Sequence, residues 1–122
     1  MRKILIADDE KVIREVIMRF LQLNGYDVSL AEDGFETIHK MATDNFDLLI
    51  MDLRMPGMKG QEILEQLRKS KKEVPVIIFT GTIEADESEI LRKLGYLSND
   101  IICKPADLFA VLKKIKEKLP DE

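Results

Sequence analysis

Residues 47–52 read "DLLIMD". Four consecutive apolar positions leave no polar face, so a strand here must be covered on both sides, as interior strands of parallel sheets are. The run stops at an acid, Asp52, and "LRMPG" after it reads as a turn. "PVIIF" at 75–79 repeats the apolar pattern, and "KILIA" at 3–7 stops as abruptly at Asp8, Asp9 and Glu10. Working outward, the expected strands are Lys3 to Ala7, Asp27 to Ala31, Asp47 to Met51, Pro75 to Phe79 and Asp100 to Cys103.

Helical spacing fills the intervals. Ile13, Val16, Ile17 and Phe20 recur at i, i+3, i+4, i+7 and the helix should end at Asn24-Gly25, with Lys11, Arg14, Glu15 and Arg19 on the solvent side. Further helices are expected from Phe35 to Ala42, Gln61 to Ser70 and Glu84 to Leu94. A last one follows Pro105, with Asp107 as N-cap and Leu108, Val111, Leu112, Ile115 and Leu119 inward. Strands alternating with helices predict an α/β, doubly wound, five-stranded parallel sheet with five helices on two faces.

A chain of 122 residues fits one domain spanning 1–122, and 45% hydrophobic with 34% charged residues is a globular composition, not a disordered one. Lys plus Arg number 19 against 23 Asp plus Glu, and no basic stripe stands out, which argues against direct nucleic-acid binding. No apolar run approaches the ~20 residues of a membrane helix, and no signal-peptide pattern opens the chain, so a cytoplasmic location is expected. The single cysteine, Cys103, cannot form an internal disulfide and reads as a small buried hydrophobe.

Ligands of open parallel sheets bind beyond the carboxyl ends of the strands, at the point where strand order reverses. Asp8, Asp9 and Glu10 follow the first strand, Asp52 the third, Thr80 the fourth and Lys104-Pro105 the fifth. Taken singly each has a local reading: Asp9 as an N-cap, Glu10 as a first-turn acid, Thr80 as a strand residue, Lys104 as a solvated base. Glu32-Asp33-Gly34, after the second strand, is assigned to a turn and helix start. With strand order 2-1-3-4-5, Asp8, Asp9 and Asp52 share one crevice. Clustered carboxylates take up protons unless a cation sits among them, and magnesium suits a sparse acidic site.

Four blocks, "ILIADDEKVIREVI", "DLLIMDLRMPGMKG", "PVIIFTG" and "CKPADLFAVLKKI", resemble in order and spacing the receiver domains of two-component response regulators. The resemblance covers essentially the whole chain and implies a flavodoxin-like fold of order 2-1-3-4-5. It implies that Asp52 accepts a phosphoryl group from the phosphohistidine of a sensor histidine kinase or phosphotransfer protein. Asp9 and Asp52 would bind magnesium directly, Asp8 through water, and the backbone carbonyl of Arg54 would be a further ligand. Thr80 and Lys104 would hold phosphoryl oxygens, and Lys104–Pro105 would be a cis peptide. Gly81 leaves the loop small, with room for the phosphoryl group, and Arg54 and Thr82 would tune the phosphoryl lifetime. The fourth helix, fifth strand and fifth helix would then switch to bind a downstream target. Such a protein is a signalling receiver, monomer or weak dimer, that catalyses only its own phosphorylation and dephosphorylation. With "KEKLPDE" closing the chain, no output domain is expected on it.

The chain also departs from the family. Ile101 stands where Tyr or Phe commonly acts as a rotamer switch, with Tyr96 placed across the turn from it, and "LGYLSNDIICKP" has about two extra residues. Two other functions compete with this reading. A magnesium phosphatase with an aspartyl phosphate wants a second aspartate where Arg54 stands, and a phosphorylation-independent scaffold would not need the full polar set. His39 reads as a surface residue, and Met51, Met55 and Met58 as core and loop filler.

Overall fold

The computed structural model describes residues 1–105 and 107–120. Five strands, β1 (Lys3–Ala7), β2 (Asp27–Ala31), β3 (Leu48–Met51), β4 (Val76–Thr80) and β5 (Ile101–Cys103), alternate with α1 (Lys11–Leu23), α2 (Gly34–Thr43), α3 (Gly60–Lys69), α4 (Ala85–Lys93) and α5 (Leu108–Lys118). The sheet order is β2-β1-β3-β4-β5 and every pairing is parallel. The expected doubly wound architecture is therefore the observed one. Among the described residues, no helix is long and apolar enough to cross a membrane.

The continuous apolar runs behave as two-faced strands. Ile4, Ile6, Leu48, Ile50, Ile77 and Phe79 point to one side and pack with Ile17 and Leu21 of α1 and Val111 and Ile115 of α5. Leu5, Ala7, Leu49, Met51, Val76 and Ile78 alternate to the other side, against Met41 of α2, Ile63 and Leu64 of α3 and Leu91 of α4. Met55 and Met58 are partly buried against this second layer, as core and loop filler should be. Truncating a residue such as the fully buried Leu49 to alanine costs about 2–5 kcal/mol.

Most element ends fall where the sequence places them. Asp33 caps α2 by accepting from Glu36 N at 2.7 Å, and Asp107 caps α5 by accepting from Phe109 N at 2.8 Å. Gly25, at φ +91°, closes α1 in the left-handed region that glycine adopts freely. Two expected ends shift for a visible reason. Thr80 belongs to β4 because its carbonyl accepts from Lys104 N, and Asp100 leaves β5 because residues Ser98–Asp100 form a 3-10 turn. The Asp100 carboxylate ties that turn to Leu97 N and to Lys118 of α5, so the longer loop is held on the α5 side.

Three expectations about side chains are corrected. Arg14 is buried rather than solvated, whereas Val16 is 47% exposed and Val12 73%. The inward stripe of α1 runs through Arg14, Ile17 and Leu21, one residue round from the line through Ile13 and Phe20, because docking on the sheet sets the rotation that period alone leaves open. Cys103 is exposed, since β5 is a three-residue edge strand. Tyr96 is partly buried and lines the same α4–β5 groove as Ile101, on the same core layer. His39 lies exposed on α2.

Candidate functional site

Register and side-chain parity build the site. Ala7 is level with Met51, so the next residues, Asp8 and Asp52, emerge side by side on the α1/α5 side of the sheet. Their amides continue the ladder, Asp8 N to Ala31 O at 3.1 Å and Asp52 N to Ala7 O at 3.0 Å. Lys104 shares the parity of Ile102 and reaches back over the Phe79 ring, 5.4 Å from Nζ to the centroid. Behind Asp52, Gly60 N donates to Leu53 O at 3.2 Å, and a Cβ on Gly60 would lie 2.7 Å from Leu53 Cα. The close approach of α3 to the turn after Asp52 thus requires a glycine.

The centre is an ion triad. Lys104 Nζ donates to Asp8 Oδ2 and to Asp52 Oδ2, each at 2.7 Å, and stands 3.4 Å from Glu10 Oε1. Asp8 is 2% exposed and Asp52 5%. Burial pushes the Asp8 carboxyl above the ordinary aspartate range, and the hydrogen bonds from Lys104 and Glu10 N offset this only in part. Burial opposes the charge on Lys104, but its hydrogen bonds to Asp52 and Asp8 together outweigh that and hold the ammonium well above the usual lysine range. One cation among this many acids leaves the crevice acidic.

Asp9 is exposed beside the triad and is not the helix cap: Glu10 holds the N-cap position of α1, without a side-chain capping bond. Asp9, Asp52, Arg54, Gly81, Thr82 and Lys104 border one cavity of about 390 Å³. A Cβ built on Gly81 meets nothing within 4 Å, so the space there is wider than the glycine alone provides. Thr80 is fully buried and its Oγ1 has no hydrogen-bond partner among the described residues. Leaving a buried hydroxyl unpaired costs roughly 1–3 kcal/mol, so the position asks for a partner. The Lys104–Pro105 peptide is cis. Ile101 stands at the head of β5, half-buried, on the face opposite the triad.

The structure adds residues that sequence reasoning did not place in the site. Arg14 Nη1 donates to the Asp8 carbonyl at 2.8 Å and Nη2 lies 3.6 Å from Glu32 Oε2, so a buried guanidinium braces the β1–α1 turn from below. Its place three residues before Ile17 and seven before Leu21 was the available signal. Arg54 donates its backbone N to Asp52 Oδ1 at 3.0 Å while its guanidinium bonds Glu87 of α4 at 2.7 Å. Nothing in "EADESEILRK" distinguishes Glu87 from an ordinary first-turn acid.

The donor set fits a hard divalent cation. Asp8, Asp9, Glu10 and Asp52 each offer a carboxylate oxygen, all within 4.8 Å of one another, and oxygen donors of this kind suit such an ion. The unpaired Thr80 hydroxyl, and the Lys104 ammonium bonded to Asp52, suit an oxyanion.

Comparison with known proteins agrees with this geometry. Response regulator MprA of Mycobacterium leprae (strain TN) is 35% identical over 117 residues, 96% of this chain, and that of Mycobacterium avium (strain 104) is 34% identical over the same span. The chain spans about half the length of these curated relatives, 50% in each case. A CheY-like response regulator receiver domain protein from Methanospirillum hungatei JF-1 superposes with a TM-score of 0.90 at 32% identity, over 98% of this chain and 94% of that one. Response regulator protein TrrA from Thermotoga maritima, crystallised in complex with Mg(2+)-BeF, gives 0.84 at 32% identity, over 98% and 100%. Residues 4–116 match the model of the response regulator receiver domain. With the sheet order, the acidic crevice and the match over nearly its whole length in agreement, the chain belongs to the response regulator receiver domain family.

Proposed function

We propose that the protein is a two-component signalling receiver in which Asp52 takes a phosphoryl group from a phosphohistidine of a sensor histidine kinase or phosphotransfer protein. The observation that carries this reading is the convergence of Lys104, Asp8 and Asp52 beside the unpaired hydroxyl of Thr80. An Asp52 oxygen attacks phosphorus, the phosphorus–nitrogen bond breaks, and imidazole leaves as the acyl phosphate forms. Lys104 then pairs with a phosphoryl oxygen and the Thr80 hydroxyl donates to another, satisfying its own buried oxygen. Water attack on phosphorus later returns the carboxylate and inorganic phosphate.

Asp8, Asp9, Asp52 and the Arg54 carbonyl would hold magnesium, which when bound supplies positive charge for the phosphoryl oxygens. Arg14 keeps the Asp8 backbone in place for this. Arg54 and Thr82, which border the cavity, set how freely water reaches the phosphoryl group. The added charge of about −2 draws on Thr80 and Lys104 and so biases the α4–β5–α5 surface that meets a downstream target. Arg54 in place of a second aspartate argues against a phosphatase.

Intact mass after incubation with acetyl phosphate, with and without magnesium, tests the reading. The expected result is one phosphoryl group, dependent on magnesium and lost in Asp52→Asn while the fold is kept. No gain in mass, even with a phosphorylated kinase, would replace it with the scaffold reading.

A further inference from the structure

Arg54 borders the cavity beside Asp52. Its backbone N is bonded to Asp52, yet its guanidinium goes to α4: Nη2 donates to Glu87 Oε1 at 2.7 Å and lies 3.5 Å from the Thr82 carbonyl. Glu87 is the more enclosed partner, with a side chain 13% exposed against 47% for Arg54. The same Glu87 oxygen accepts from Glu84 N at 3.1 Å, so it also closes the capping box of α4. One carboxylate therefore both caps the helix and anchors a guanidinium that borders the cavity over Asp52.

We propose that Glu87 is a positioning residue: it holds the Arg54 guanidinium on α4, and a phosphoryl group on Asp52 competes with it for that cation. The inference rests on Asp52 being the phosphoacceptor. Before phosphorylation, Lys104 is paired with Asp52 and Asp8, while Arg54 is held by the Glu87 carboxylate and lies near the Thr82 carbonyl. A phosphoryl group brings roughly two negative charges and three acceptor oxygens into the cavity, and a planar guanidinium binds such oxygens in pairs. Arg54 moving inward leaves Glu87 with the helix cap alone, so the signal reaches the first turn of α4 by charge. This route needs no aromatic side chain at position 101, where the chain has Ile.

A double-mutant cycle reads the competition, with beryllofluoride plus magnesium as the probe and binding followed by amide NMR. Glu87→Gln keeps an acceptor for the helix cap but weakens the hold on Arg54, so beryllofluoride should bind about tenfold tighter. In an Arg54→Ala background the same change should have no effect, and the Glu84 amide, expected to shift on ligation in the parent protein, should stay in place. Equal effects of Glu87→Gln in both backgrounds, or the same Glu84 shift in both, would overturn the competition while leaving Asp52 as the acceptor. Failure of the parent protein to bind beryllofluoride at all would overturn the phosphoacceptor reading and this inference with it.

Discussion

The two ends of the sheet are made of the same strands and carry acids and bases in opposite states. At the amino end, Lys3 pairs with Asp44, and Asp47 accepts from Lys3 N at 2.8 Å and faces Arg2 at 3.9 Å. These side chains are 28–47% exposed, so water screens them and each pair is worth little. At the carboxyl end Lys104 is 12% exposed, Asp8 3% and Asp52 6% by side chain, and one cation serves both carboxylates. The first arrangement is ordinary surface pairing. The second leaves acids short of positive charge and a buried hydroxyl with no partner, which is stability given up to keep a site open.

The largest break in that contrast is at Lys104. Lys104→Met leaves two enclosed carboxylates unpaired, and urea unfolding at neutral pH should show a loss of about 3 kcal/mol, partly recovered by added magnesium. An unchanged midpoint would mean the acids are better solvated than their burial indicates. Thr80→Val acts in the opposite direction. It removes an unsatisfied hydroxyl at nearly constant volume, so it should raise stability by about 1 kcal/mol while weakening beryllofluoride binding.

A smaller effect follows from Asp8, whose folded pKa is raised above its reference of 3.8 chiefly by burial. The folded state then keeps the Asp8 proton longer than the unfolded chain, so this group's contribution to stability falls as pH rises from 3.8 through the raised value. Asp8→Asn should flatten that part of the metal-free stability profile. Lys104, raised by its two carboxylates, contributes fully below 10.5 and loses that contribution only as pH climbs through its folded pKa. The smallest effect is at the amino end: Lys3→Met should cost less than about 1 kcal/mol, and a loss as large as that at Lys104 would erase the distinction between the two ends.

Much of this was legible along the chain. Uniformly apolar runs at 48–51 and 76–79 announced strands covered on both faces, and an acid, hydroxyl or ammonium after the first, third, fourth and fifth strands announced the crevice. Asp33, Asp107 and Gly25 declared helix ends through chemistry that acts within a few residues. Arg14 was misplaced because a helical period gives the width of a stripe but not its rotation toward the sheet. Cys103 was misplaced because alternation does not say that a strand is short and lies at the edge. Glu87 was passed over because a first-turn acid looks the same whether it meets water or an arginine 33 residues away.

The sequence by itself determined which residues would form strands and helices and which polar groups would stand at the strand ends, because periodicity and capping are local. Only the tertiary structure decided that Lys104 would bridge Asp8 and Asp52, that Arg14 would sit beneath Asp8, and that Arg54 would be held by α4. Those pairings join residues 6 to 96 positions apart, and charge acts across space only after the sheet order and helix rotations have brought the groups together.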